Sequence, residues 1–384
     1  MRYRMRLFLY AHRQLRCVQG LFARFEGSKP RTASFDKVRN CRHCFHLTAA
    51  FACAVIASVV FRNFKALRNA RVQLGAFNLV VGPNGSGKTS LIESLLHLRT
   101  LSKLDPVDAS TMPSSGTAGP DLTFHFDPPY EGLEVRLGCV DDVACDALHV
   151  APSGTPEWAK LRGSISSIRS YVFDHRALSD SASRDSRAEL ASNGANLAAV
   201  LLRMQEETPA AFSVVSAEVV RLFPEFSRLE VQLRPNHTVA IACSLAEGRG
   251  LVDGENLSQG MLYTLAILTL SFLPSLPTVV CIEEVDRGIH PRMLREIRDA
   301  LYRLSYPTDF GLNRPSVQVI ATAHSPYLLD LFREHPEEVV ITQKHGTEAT
   351  FERLSDRPDL PGLMQEGSLG DLWYSGILGG VPEV

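Results

Sequence analysis

The sequence lacks an apolar run of the roughly 20 residues that a bilayer span requires. The run from Leu47 comes nearest, but it stops at Phe61 against Arg62, and its second half, Ile56 to Phe61, reads better as a strand feeding a globular domain. No convincing cleavage segment follows the basic leader, so neither a secretory signal nor membrane insertion is expected. A dense cysteine framework is missing as well: eight cysteines are scattered, mostly singly in apolar settings such as Cys53 and Cys281. That excludes a disulfide-built fold and suits a reducing cytoplasm. Cys41, Cys44 and His46 have the local spacing of half a zinc site, but no second pair at comparable spacing follows. There is no internal repeat and no long heptad run, which excludes long coiled-coil arms.

Excess charge is also scarce, since the whole chain carries a net charge of −2. That balance hides an asymmetry: residues 1–50 hold eleven Lys and Arg against only Glu26 and Asp36, so the remainder is acidic. A basic arm fits contact with nucleic acid or a membrane surface. Its scattered apolar residues give no clear fold, and the plainer reading is a poorly ordered leader.

From about residue 55 the pattern becomes that of a large globular α/β domain. Ile56–Phe61 and Ala76–Val81 read as strands, and Thr89–Leu98 reads as a helix with Leu91, Ile92, Leu95 and Leu98 on its apolar face. The Pro- and Ser-rich stretch 105–120 reads as an exposed loop. Leu122–Phe126, Leu133–Leu137 and Ile168–Phe173 suggest a meander, and 180–189 a solvent-facing link. Helices are predicted over Asn196–Glu207, Ala210–Phe223 and Gln259–Leu273, with a hairpin turning at Pro235-Asn236 between them. Thr278–Ile282 and Val317–Ala321 are strands apolar at nearly every position, the mark of a mostly parallel sheet covered on both faces.

Four stretches carry chemistry. Gly82-Pro-Asn-Gly85-Ser-Gly87-Lys88-Thr89 lies between a strand and a helix, where curled backbone N–H groups and a helix N-terminus solvate phosphate. Lys88 can reach β and γ phosphates, and the Thr89 hydroxyl can ligate Mg²⁺. Glu283 and Glu284 end a buried-type strand, where charge is otherwise costly; strand alternation would point one at Mg²⁺ and the other at attacking water, while an acidic helix cap is the bland alternative. Asn256–Gly260 opens a helix with Ser258 as a plausible N-cap and Gly260 permitting close approach, and a structural cap alone explains much of it. His324, in Thr322–Pro326, ends another core strand, either as a histidine bonded to neighbouring backbone or as a γ-phosphate contact.

Taken in order, these motifs resemble the ATP-binding-cassette ATPase superclass, in its RecF/SMC-like branch of stand-alone AAA family ATPases. Val60–Leu67 is similar to that branch's opening strand and turn, Gly82–Thr89 to Walker A, and Asn256–Gly260 to its signature loop. Val279–Glu284 is similar to Walker B with the catalytic glutamate, Asp286–Pro291 to the D-loop segment and Thr322–Pro326 to the switch-histidine motif. The resemblance implies a P-loop NTPase of ABC-ATPase type: α/β, a mostly parallel core sheet with helices, an antiparallel β-rich region and a helical signature lobe. It implies ATP and Mg²⁺ as ligands and ATP hydrolysis as the activity. Asn84, Gly85, Ser86, Gly87, Lys88, Thr89 and Ser90 would bind nucleotide, Thr89 and Glu283 would hold the metal, Glu284 would polarise water and His324 would sense the γ-phosphate. Ser258 and Gly260 would close on nucleotide held by a second protomer, which makes an ATP-dependent head-to-head homodimer.

The expected organisation is a basic extension over 1–54, an ATPase domain over 55–345 with a lobe inserted at about 105–255, and a tail over 346–384 packed on the domain through residues such as Trp373. The resemblance leaves DNA or an effector protein open as partner, with DNA repair or phage defence as the setting. Rival readings are a nucleotide-stabilised DNA-binding structural protein and the nucleotide-binding subunit of a transporter. The chain departs from the family pattern in three places. Glu283 replaces the usual Asp, Gln259 stands where transporters have Gly, and no glutamine takes the Q-loop place, since Gln205 and Gln232 sit in unsuited elements.

Overall fold

The computed structural model describes residues 55–379 apart from 109, 111, 113–118, 142, 187–188, 249 and 347. The expected basic extension, the Cys41/Cys44/His46 half-site and the front of the Leu47 run lie outside the described residues, as does the centre of the 105–120 loop.

The chain opens with the antiparallel pair β1 (Ile56–Phe64) and β2 (Leu67–Gln73), then β3 (Phe77–Val81), which passes through the glycine loop into α1 (Lys88–Leu101). A meander of β4 (Asp121–Phe126), β5 (Glu134–Cys139) and β6 (Cys145–Ala151) leads to α2 (Pro156–Ser166) and β7 (Arg169–Tyr171). The lobe holds α3 (His175–Ser179), β8 (Ala182–Ser183), α4 (Leu197–Glu207), α5 (Pro209–Leu222), β9 (Phe226–Arg234), β10 (Thr238–Leu245) and β11 (Leu251–Asp253). Then α6 (Gln259–Ser271), β12 (Val279–Ile282), α7 (Leu294–Ser305), β13 (Gln318–Ala323) and α8 (Pro326–Asp330) complete the core. The hairpin of β14 (Val339–His345) and β15 (Glu348–Arg353) precedes α9 (Leu360–Glu366) and α10 (Leu369–Tyr374).

The core sheet runs β15-β14-β3-β13-β12-β7. It is parallel from β14 to β7, with antiparallel β15 at one edge. Its strands are apolar on both faces because two cores cover them. Leu79, Val81, Ile282 and Ala321 face the core that holds α6 and the lobe. Val80, Cys281 and Ile320 face the other, filled by Leu91 and Leu95 of α1 and by Val59 and Phe61 of the antiparallel sheet β2-β1-β4-β5-β6. Trp373 is buried in the first core together with Leu328 and Leu329. No helix among the described residues is long and apolar enough to cross a membrane.

Several features differ from expectation. Ile168–Phe173, read as part of a meander, contains β7, which pairs parallel with β12. The strands β14 and β15 were not anticipated, and their hairpin straddles the expected boundary between residues 345 and 346. Cys139 and Cys145 form a disulfide across the β5–β6 hairpin, whereas Cys243 and Cys281 are buried and free.

Gln318 fastens the two cores at the start of β13. Its buried side chain accepts from Ile56 N–H at 3.1 Å and donates to the carbonyls of Ile56 and Gly75 at 2.8 and 3.0 Å. Asn78 also serves Gly75, so Gln318→Leu strands chiefly the Ile56 groups, at a cost of about 1–3 kcal/mol. The expected result is a lower urea midpoint with an unchanged slope; a midpoint equal to the parent's would contradict it.

Candidate functional site

The phosphate loop is shaped by where side chains cannot go. A Cβ on Gly82 would meet the Thr342 carbonyl at 2.6 Å and Ser86 Oγ at 2.7 Å. Gly85 and Gly87 lie at φ of 75° and 96°, a left-handed backbone that favours glycine. Gly87 caps α1 without a side-chain hydrogen bond, which leaves the helix start available to an anion.

Within this loop Lys88 is buried and folds back, donating to the carbonyls of Gly82 at 2.7 Å and Pro83 at 2.8 Å. Burial lowers its pKa to about 8, against the opposing charges of Glu284, Asp286 and Glu283. The Ser86 hydroxyl is engaged inside the loop, donating to the Pro83 carbonyl at 2.8 Å and bonding Thr342 Oγ1. Asn84 and Gly85 are exposed and Ser90 is buried.

Across the loop, β12 and β13 deliver the acidic and imidazole groups. Thr89 Oγ1 donates to Glu283 Oε2 at 3.0 Å. Burial raises the Glu283 pKa, while the Thr89 bond opposes the shift and the nearby Glu93 and Glu284 charges add to it. The pair therefore offers two hard oxygen donors side by side beneath the cradle. That suits Mg²⁺, which takes one or two protein oxygens and completes its shell with phosphate and water. Among the described residues no cluster of three or more His, Cys, Asp or Glu is grouped to hold a metal alone.

Strand alternation is not what separates Glu283 from Glu284. β12 ends at Ile282, and Glu284 turns out of the sheet with φ of 48°. Its N–H donates to Thr322 Oγ1 at 2.9 Å, the Val285 N–H donates to the Thr322 carbonyl at 2.9 Å, and its carboxylate lies 3.5 Å from Arg287. Asp286 reaches the other way, its Oδ2 accepting from the His324 N–H at 3.0 Å and from the Ser325 N–H. The exposed His324 ring has its pKa lowered by partial burial and by the Lys88 charge, against Asp286 and Glu284.

Lys88, Thr89, Glu283, Glu284 and His324 thus converge at the carboxyl ends of β3, β12 and β13, and charge interactions link most of them. Ser258 and Gly260 lie outside this cluster. Ser258 caps α6, accepting from the Met261 N–H at 3.3 Å, and a Cβ on Gly260 would meet the Gly288 carbonyl at 2.7 Å. Sequence reading missed Thr342, which walls the phosphate loop from β14, and gave no role to Thr322. The apolar run Val339–Ile341 is the signal that would have found β14. The segment leaving β7 for the lobe, Val172–Leu190, contains no glutamine; Asp174 there caps α3, accepting from the Ala177 N–H at 2.9 Å.

The model of a family described as "AAA domain, putative AbiEii toxin, Type IV TA system" matches residues 77–330. A search of curated proteins finds no match. Among solved structures, an Smc head bound to the C-terminal winged-helix domain of ScpA superposes with a TM-score of 0.52 at 13% identity, over 78% of this chain and 97% of that one. An Smc head with an extended coiled coil from Pyrococcus furiosus, bound to the C-terminal domain of ScpA, gives 0.49 at 11% identity over 81% and 99%. The first of these likenesses shows a shared fold.

Proposed function

The chain belongs to the AAA-domain family matched over residues 77–330, and on that premise we propose that it binds ATP with Mg²⁺, hydrolyses the γ-phosphate and uses the cycle to close and open a head-to-head dimer. The supporting observation is the meeting of Lys88, Thr89, Glu283, Glu284 and His324 at the carboxyl ends of parallel strands, where ligands of such sheets gather.

In this mechanism the backbone from Asn84 to Ser90 cradles the triphosphate, and Lys88 exchanges its Gly82 and Pro83 carbonyls for β and γ oxygens. Thr89 and Glu283 hold the Mg²⁺, whose charge, when bound, offsets that of the phosphates. Glu284 accepts a hydrogen bond from the attacking water and draws its proton. His324 meets the γ-phosphate from the end of β13. Ser258, at the start of α6, faces nucleotide held by the second protomer. Hydrolysis removes the group that both protomers hold, and the dimer loosens. We place the output in DNA repair or phage defence through DNA or an effector protein. The family's description, which names a putative toxin, favours the effector.

A mixing experiment tests the shared site. Lys88→Ala and Ser258→Arg proteins should each be inactive, and their mixture should regain part of the parental ATP turnover, because one of its two sites then has both Lys88 and Ser258 intact. The mixture should also show dimer mass in ATP. If it stays as inactive as its components, Ser258 does not act across a dimer and only its capping role stands.

A further inference from the structure

Glu284 rests where a side-chain-bearing residue seldom does. Its φ of 48° lies in the left-handed region, which persists in non-glycine residues when the surroundings hold it. The turn is held by hydrogen bonds to Thr322 and by the Arg287 N–H, which donates to the Glu284 carbonyl at 2.9 Å. Thr322 accepts the Glu284 N–H on its hydroxyl and the Val285 N–H on its carbonyl, both at 2.9 Å. Thr322 is 2% exposed in β13, and the register that sets Ile282 opposite Ala321 brings it level with the end of β12. A hydroxyl between Ala321 and Ala323 in a buried strand needs a polar partner, and the Glu284 amide is that partner.

We propose that Thr322 is a positioning residue for turnover: its hydroxyl holds the left-handed turn that carries the Glu284 carboxylate out of the sheet toward the water site, without itself touching nucleotide. The neighbouring contacts do not depend on that hydroxyl. The Glu283 N–H donates to the Tyr171 carbonyl at 2.9 Å, so the metal-side carboxylate is anchored from β7. Asp286 is tied to the His324 loop through backbone N–H groups. The Thr322 carbonyl keeps Val285 whatever side chain stands at 322, so a substitution there isolates one bond.

This inference rests on Glu284 being the group that polarises water, and its test includes that premise. Thr322→Val keeps shape and β-branching while removing the acceptor, and Thr322→Ser keeps the acceptor. Both are measured beside the parent and Glu284→Gln for kcat, for ATP affinity and for urea midpoint. Thr322→Val is expected to lower kcat about tenfold or more with ATP affinity within about twofold of the parent, and Thr322→Ser to stay within about threefold of parental kcat. A parental kcat in Thr322→Val overturns the proposal. So does a loss of ATP affinity in step with kcat, or a Ser variant as slow as Val. If Glu284→Gln turns over as fast as the parent, the catalytic reading falls and this one with it; if Glu284→Gln is inactive while Thr322→Val is not, this one alone falls.

Discussion

A Glu284→Gln protein is expected to bind ATP as the parent does, to hydrolyse it about 10²–10⁴-fold more slowly, and to remain dimeric while ATP lasts. The substitution is nearly isosteric and removes one capability, that of taking a proton from water. The backbone that places residue 284 is untouched, since Thr322 Oγ1 and the Thr322 carbonyl hold main-chain N–H groups. The ion pair to Arg287 is lost, but both groups are about half exposed and lie 3.5 Å apart, a pair worth at most about 1 kcal/mol to the fold. Removing Glu284 withdraws a charge that raises the Lys88 pKa, but bound triphosphate holds the ammonium charged in its place and meets less acidic repulsion, so ATP binding is retained. Phosphate release and mass measurement in ATP together decide the matter. Parental turnover would assign the water to another group, and an inactive protein that stays monomeric in ATP would detach dimerisation from nucleotide.

How far the site was legible depended on whether its contacts are local. Phe77 to Leu95 could be read because a buried strand, three glycines and a helix stand in one short stretch, and the glycines are demanded by backbone geometry. Glu283 and Glu284 were found because carboxylates after a wholly apolar strand are costly unless used. Their divergence was expected from strand alternation, yet the strand stops at Ile282 and Glu284 leaves by a left-handed turn. That turn depends on Thr322, thirty-eight residues away, through a register no local pattern encodes. β7 was misassigned for a related reason: Arg169-Ser-Tyr171 is short and polar at two of its three positions, and whether a strand pairs parallel or antiparallel is settled by its neighbours. Gly260 was legible as a close approach, but its partner is Gly288 of the same chain, so part of what a signature loop demands is internal packing. The fold was clearer than the site because apolar periodicity specifies layers, whereas side-chain hydrogen bonds across strands specify chemistry.

Lys88→Ala should have the larger effect on binding. The ammonium is placed inside the loop by the Gly82 and Pro83 carbonyls, and in the proposed mechanism it exchanges them for β and γ phosphate oxygens. Charged hydrogen bonds of this kind contribute about 1.5–3 kcal/mol each. Losing two such bonds to phosphate oxygens predicts ATP affinity lower by about 10²–10⁴-fold, with turnover lost at accessible ATP concentrations. Lys88→Arg should not restore binding, because a planar guanidinium cannot fold back into a cradle sized for a single ammonium. The parent carries a matching pH signature. Burial brings the Lys88 pKa to about 8, and only the protonated amine binds phosphate, so kcat/KM should be level below that value and fall about tenfold per pH unit above it. Bound triphosphate favours the charged form, so kcat at saturating ATP should begin its fall at higher pH than kcat/KM does. Isothermal titration with ATP, on parent and Lys88→Ala, reads the affinity loss, and parental ATP turnover across pH 6.5–9.5 reads the profile. Undiminished affinity in Lys88→Ala would place the nucleotide outside the glycine loop. A parental profile flat through pH 9 would mean that the buried amine is not what grips the phosphates.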